Sequence, residues 1–486
     1  MSTLVLGFAL VAVVLMVSAL ASGLVERAPL SFPMIFLGLG FLLGDGGIGV
    51  IPMDAHNPVL ETVAIASLAL VLFLDAVKLQ VNEVRSDWRV PMLSLGPGTL
   101  LIIVAIAAAS SLLAGTTVTQ SLLLGAMLSS TDPVVLRDVV RDERIPRSVR
   151  RALSVEAGMN DIVVLPIVLI LIAILTANVG GTLDWLRFLA QLLVLSPLVG
   201  LLVGGAGAWL MGRMDARFGI RREYQALYGI GLVLAAYAAG QAVHGDGFLV
   251  AFFAGLAVNI FNVSLCDCFL EYGEVTAEMA MLLAFVLFGA VLSTLLGTVP
   301  LLPTLLLAVV VIAVARPVAL GLVLLQATMS HTARAFIGWF GPRGLNSLLL
   351  ALLVVQAGAP DAERLLAITG MVVVVSVIAH GASATPLSSW YGRRVARAQR
   401  TLAEEREGTA TGLFEGDAHA VDRITPAELA ALLEGPDPPI VLDVRTRGQY
   451  DNDPGQIPGS VRVLPDQVEA WASHVERARA VVAYCT

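Results

Sequence analysis

"SVEAGMNDIVVLP", residues 154–166, sets two carboxyl groups and an amide, Glu156, Asn160 and Asp161, inside a run that otherwise reads as lipid-spanning helix. The surrounding chain is oily throughout. Its 486 residues are 57% hydrophobic and 14% charged, with mean hydropathy +0.84. A soluble domain lies nearer roughly 45–50% apolar and about 25% charged. Apolar runs of about 20 residues recur from the first residue to Trp390, each long enough to cross about 30 Å of hydrocarbon. The fold class is therefore an all-α polytopic membrane protein. The first run, "LVLGFALVAVVLMVSAL" at 4–20, lacks a basic leader and a small-residue cleavage site, so it reads as a first span and not a signal peptide.

Spans are expected near 3–24, 29–47, 59–78, 91–114, 119–139, 153–177, 187–212, 224–243, 247–262, 276–297, 303–326, 333–357 and 363–388. Lysines and arginines test that count of about thirteen. Loops after odd spans carry Arg27, then Lys78, Arg85 and Arg89, then six arginines between Arg137 and Arg151, with Arg213, Arg217, Arg221, Arg222, Arg334 and Arg393 to Arg400 further on. Loops after even spans carry Arg187 and Arg364. Positive charge collects on the cytoplasmic side, which puts the N-terminus outside and the C-terminus inside. An odd count suits two inverted six-helix repeats joined by the seventh span, a transporter pattern. The net charge of −8 belongs mostly to the tail and says nothing of nucleic acid. Cys266 and Cys268 are expected in a short acidic loop as ordinary thiols, with no histidine or second cysteine pair beside them.

A charge at mid-membrane costs about 2.5–3.5 kcal/mol on insertion scales, so each one calls for a reason. The candidates are Asp75, Asp132, Glu156, Asp161, Arg316 and Arg343. Glu156 and Asn160 are i,i+4 on one helix face, and Asp161 lies about 140° around from Glu156. One face can then meet a cation on a neighbouring helix while the other opens to a cavity. Pro166 is expected to kink the span.

Two spans carry interruptions. In "STDPV", Pro133 frees the carbonyl of Ser129 and pushes Asp132 toward an extended conformation. Irregular backbone at this depth survives only in a cavity lining or within protein. The freed carbonyls, the Thr131 hydroxyl and the Asp132 carboxylate are hard oxygens that suit an alkali cation. The plainer alternative is that Asp132 caps the following turn. In "GPRGLN", two glycines and a proline surround Arg343 at the matching place in the second half. Paired interruptions point to a transporter's binding site. Arg316 and Arg343 stay charged at any physiological pH, so their expected work is to hold Glu156 and to offset helix C-terminal dipoles. A carboxylate open to one side at a time can hold a proton or a cation, and the two compete for one charge. Asp161 is the expected shared carrier, with Asp132, Thr131 and Asp75 completing an oxygen cage.

"TDP", then "E-x-x-x-N-D" some twenty residues on, then an Arg-Pro span and a "G-x-R-G" span, resembles the cation–proton antiporters of the NhaP type, relatives of the animal sodium–proton exchangers. The resemblance covers about residues 1–390. It implies secondary antiport of Na⁺, or of Li⁺ or K⁺, against H⁺ across the plasma membrane, serving pH and sodium homeostasis, in a homodimer. It implies a Na⁺ site at Asp161, Thr131 and Asp75, an Asn160–Asp161 pair that accompanies electroneutral exchange, and a structural ion pair of Glu156 with Arg316, or second with Arg343. The transported cation and H⁺ are the ligands, with no cofactor and no enzymatic activity. Two departures stand out: Ala157 follows the glutamate where many members have serine, and Asp75 stands where glutamate is commoner. K⁺/H⁺ exchange is the alternative.

Beyond Arg400 the composition turns polar. The expected domains are a transmembrane domain over 1–392, a linker over 393–421 and a rhodanese-like α/β domain over 422–486. "RITPAELAALLE" reads as a helix with Thr425 as N-cap and Glu428 at N3, and "PIVLDVR" and "AVVAYC" as buried strands. This stretch resembles a rhodanese, whose sulfur-carrying cysteine is then Cys485. Gln456 replaces the family's usual histidine and the loop after that cysteine is missing, so the module is expected to be incomplete and inactive. A membrane-tethered sulfurtransferase or a redox-regulated transporter is the other class; some thirteen spans with buried carboxylates are more than anchoring needs.

Overall fold

The computed structural model describes residues 10, 12–14, 16–20, 31–79, 89–142, 144–261, 263–327, 329–397, 424–435, 438–444, 455–463, 471 and 480–484. Most of the expected linker, and Cys485, lie outside them. The chain forms two compact units, residues 1–413 and 414–486.

The first unit is helical. In chain order it comprises α1 (Phe32–Leu43), α2 (Pro58–Lys78), α3 (Val90–Ala114), α4 (Val118–Met127), α5 (Pro133–Arg141), α6 (Arg147–Leu175), α7 (Thr182–Phe218), α8 (Arg222–Ala242) and α9 (Gly247–Phe261). Then follow α10 (Val263–Leu295), α11 (Leu301–Gln326), α12 (His331–Trp339), α13 (Leu345–Gln356) and α14 (Ala362–Arg397). Seven described helices are long and apolar enough to cross a membrane: α2, α3, α6, α7, α11, α14 and, over Tyr272–Thr298, α10. Four shorter apolar helices, α1, α4, α9 and α13, accompany them. The expected Cys266–Cys268 loop is instead helical backbone within α10. The apolar run simply extends helix formation past the acidic residues.

Local chemistry sets the ends and irregularities. Asn57 caps α2 ahead of Pro58, a Thr117–Gln120 capping box starts α4, and Ser330 caps α12. Three π-turns, Ser94–Gly98, Gln191–Leu195 and Val311–Ala315, fall at or just before Pro97, Pro197 and Pro317. Proline has no N–H to donate and crowds the preceding carbonyl turn, and one widened turn absorbs both. Around Pro166 no such turn forms and α6 runs unbroken from Arg147 to Leu175. α1 packs on α10, α7 on α9, and α2 on α9 and α10, while α13 is buried along most of its length.

The second unit holds α15 (Pro426–Leu433) and a parallel sheet of β1 (Ile440–Asp443), β2 (Val461–Arg462) and β3 (Val481–Tyr484) in the order β2-β1-β3. The Thr425–Glu428 capping box forms as expected: Glu428 N donates to Thr425 Oγ1 at 3.2 Å and Thr425 N to Glu428 Oε2 at 2.7 Å.

Candidate ion-binding site

α4 and α5 are two halves of one interrupted helix, as are α12 and α13. The interruptions, residues 128–132 and 340–344, meet where Asp132 N donates to Pro342 O at 2.9 Å. Every helix end leaves carbonyls or N–H groups without an intrahelical partner. Here charged side chains take them. Arg343 Nη1 donates to the carbonyls of Ser129 (2.9 Å) and Ser130 (3.1 Å), just past the end of α4. Arg316 Nη2 donates to the carbonyls of Ile337 (3.2 Å) and Phe340 (3.1 Å) at the end of α12. Asp132 serves both helix starts: Oδ1 accepts from Val134 N at 2.8 Å and Oδ2 from Leu345 N at 2.7 Å. Cations thus face two C-terminal ends and one anion faces two N-terminal ends, each matched to the local dipole. Glycine is required for this approach. A Cβ at Gly344 would collide with the Asp132 carboxylate, and one at Gly341 with the Arg316 guanidinium.

This arrangement divides the residues singled out in the sequence. Glu156, 3% exposed, is held by Arg316, 2% exposed, whose Nη1 meets Oε1 and whose Nη2 meets Oε2 at 3.0 Å. Arg343 does not touch Glu156; it holds the first interruption. Asp132 and the freed Ser129 carbonyl, both expected in the oxygen cage, are engaged by backbone N–H groups and by Arg343. The capping alternative describes Asp132, extended to two helices.

Thr131, Asn160 and Asp161 do come together. Asn160 Nδ2 donates to Thr131 Oγ1 at 2.6 Å, and Asn160 Oδ1 is buried without a hydrogen-bond partner. Asp161 Oδ1 accepts from Ser130 Oγ and Oδ2 from Asn346 Nδ2, both at 2.7 Å. Neither donor was singled out from the sequence. Both sat in quoted stretches, "STDPV" and "GPRGLN", where the charged residues, the Thr131 hydroxyl and the freed carbonyls were weighed and these two side chains were not. Ser376 and His380 on α14 were also missed. Ser376 Oγ accepts from Arg343 N at 2.7 Å and lies 3.1 Å from His380 Nδ1, which steadies the second interruption from behind.

Asp75, on α2, is also buried, and its Oδ2 has no hydrogen-bond partner. A funnel of about 880 Å³ reaches it, lined also by Pro133, Ser154, Ala157 and Gly158. Ala157 and Gly158 give the funnel a wall of small side chains about one turn before Asp161 on α6. Lys78, Arg137, Arg141 and Arg150 line the same funnel. Lys78 pairs with Glu274 at 2.8 Å and Arg137 with Glu278 at 3.0 Å.

Residues 11–390 match the family model described as sodium/hydrogen exchanger, transmembrane. The chain belongs to this sodium/hydrogen exchanger family. Among curated relatives it is 27% identical over 398 residues to a K⁺/H⁺ antiporter NhaP of Alkalimonas amylolytica, covering 78% of this chain and 66% of that one. It is 30% identical over 382 residues to the K⁺/H⁺ antiporter NhaP2 of Shewanella oneidensis, covering 76% and 64%. The match thus spans slightly less than two thirds of those relatives' own length. The fold of this exchanger-family chain is that of the sodium proton antiporter MjNhaP1 of Methanocaldococcus jannaschii, with a TM-score of 0.68 over 81% of this chain and 99% of that one at 19% identity.

Proposed function

We propose that this membrane protein exchanges a monovalent cation for a proton, with Asp161 holding one or the other. The observation that carries the reading is the set of partners around the buried carboxylates. Glu156 has Arg316, and Asp132 has two helix N-termini. Asp161 has two neutral donors, Ser130 and Asn346. A buried charge without a counter-charge costs several kcal/mol, so a proton or a metal cation completes this one. The Asp161 carboxylate, the Ser130 and Thr131 hydroxyls and Asn160 Oδ1 are oxygens, which suit a hard alkali cation. The assignment is Na⁺ (or Li⁺), with K⁺ as the alternative that the two antiporters' names favour.

In this reading Asp75 is the acidic residue at the base of the funnel, and the exchange is one-for-one. Thirteen spans over residues 1–392, with the N-terminus outside and the C-terminus in the cytoplasm, place the funnel's basic residues on the cytoplasmic side. The protein then sits in the plasma membrane as a homodimer, and residues 422–486 form a rhodanese-like unit with Cys485 at the sulfur-carrier position. The test is quenching of a pH-sensitive dye in everted vesicles as Na⁺, Li⁺ or K⁺ is added. Wild-type protein should release the proton gradient and Asp161→Asn should not. Wild-type exchange in Asp161→Asn would overturn the assignment.

A further inference from the structure

Asn346 is the polar side chain of this site that the antiport reading leaves without a task of its own. It is the second residue of α13, 2% exposed, and its Nδ2 lies 2.7 Å from Asp161 Oδ2. Its own Oδ1 has no hydrogen bond among the described residues. Asn160 repeats the arrangement: Nδ2 is engaged by Thr131, while Oδ1 is buried and without a partner. Two side-chain amides therefore lie beside Asp161, Asn160 as its neighbour in sequence and Asn346 by hydrogen bond, and the buried acceptor without a partner is Asn160 Oδ1. A buried acceptor without a hydrogen-bond partner is destabilising. A carbonyl so placed, next to a carboxylate held only by neutral donors, is a ready ligand for a positive ion.

We propose that Asn346 is a ligand of the transported cation and a latch on the empty site. This rests on the antiport reading of Asp161. In the empty, ionised site the amide N–H₂ covers Asp161 Oδ2. On cation binding the amide turns about its terminal torsion, which is broad and roughly two-fold, and Oδ1 then faces the ion beside the Asp161 carboxylate and the Asn160 carbonyl. When Asp161 carries a proton, the same Oδ1 accepts from it, so one side chain serves all three occupants. Ala157 leaves the site without a hydroxyl on α6, and Asn346 supplies an oxygen from another helix. Because α13 begins at the second interruption, a ligand at this position ties ion occupancy to both broken helices.

The test is cation-driven proton movement in proteoliposomes at graded NaCl, LiCl and KCl, with wild type, Asn346→Leu and Asn346→Asp. Leucine keeps the shape and removes the oxygen. It should raise the apparent KM for the cation by about tenfold or more, the loss typical of disturbing a metal site. Aspartate keeps an oxygen but sets a second carboxyl against Asp161, and the two share a proton. Its apparent KM should therefore stay near wild type at alkaline pH and rise more steeply than in wild type as pH falls. Asn346→Ala, smaller than the native residue, gives the same reading should leucine not fit. An unchanged KM for all three salts in Asn346→Leu and Asn346→Ala, or a fall in maximal rate at constant KM, overturns the ligand assignment alone. Absence of exchange in the wild type overturns the antiport reading and this inference with it.

Discussion

Arg316 is 2% exposed and meets Glu156 through both guanidinium nitrogens and two backbone carbonyls through one of them. Breaking such a pair leaves a buried charge without an opposite, so Arg316→Met should destabilise the protein by about 3–5 kcal/mol. A lower thermal midpoint in detergent would report it. Adding Glu156→Gln to that variant should restore much of the loss, because the orphaned charge is gone. That an arginine at membrane depth should hold Glu156 was legible in the residues, since buried charges must find each other, and the family resemblance put Arg316 first. What the sequence left open, Arg316 against Arg343, was decided by position: the guanidinium of Arg343 is taken by the carbonyls of Ser129 and Ser130. Ser130 and Asn346 were not legible. Neutral polar residues are tolerated in apolar helices, and nothing in their spacing reveals that two separate interruptions converge on one carboxylate.

At the scale of elements, the crossing of the two interrupted helices depends on one anion. In Asp132→Asn one of the two helix starts loses its acceptor and faces an amide N–H₂ instead, at a cost of about 1–3 kcal/mol. The maximal exchange rate should fall while the cation KM stays near wild type, which distinguishes a positioning residue from a ligand. Gly344→Ala drives a Cβ into the same carboxylate and should act alike. Between α5 and α6 the Arg144 guanidinium donates to both Asp142 oxygens, at 2.8 and 2.7 Å, and to Ser389 Oγ at 2.8 Å. This contact holds the Asp142 carboxyl below the usual carboxylate range. A depressed carboxyl stabilises above its unfolded value, about 3.9, and the contribution disappears as pH falls through the lower folded value. The Arg144 amide, which donates to Asp142 Oδ1 at 3.0 Å, should therefore stay protected from hydrogen exchange through neutral pH and lose protection only below about pH 4. Prolines and glycines disclosed both interruptions. Pro166, expected to kink α6, lies inside a helix that runs continuously from Arg147 to Leu175, since a membrane helix can carry a proline without breaking.

For the whole molecule, the ion site lies within the unit formed by residues 1–413. Ending the chain at that residue should leave cation-driven proton movement at the wild-type KM, measured in the same vesicles. Hydropathy and charge alternation made the helical membrane class readable at once, and the Thr425 capping box and the strands at 440–443 and 481–484 were readable in the tail, although the second, expected to be buried, alternates exposed and half-buried residues. The meeting of α5 with α13 was not readable, since a contact of such long sequence separation leaves no local pattern. The most direct measurement is calorimetric binding of Na⁺, Li⁺ or K⁺ to the purified protein in buffers of different ionisation enthalpy, across a pH series. One proton should leave for each cation bound under conditions where Asp161 starts protonated, cation affinity should fall as pH falls, and Asp161→Asn should abolish both. Cation binding at Asp161 that releases no proton and ignores pH would contradict the exchange of one ligand for the other on a single carboxylate.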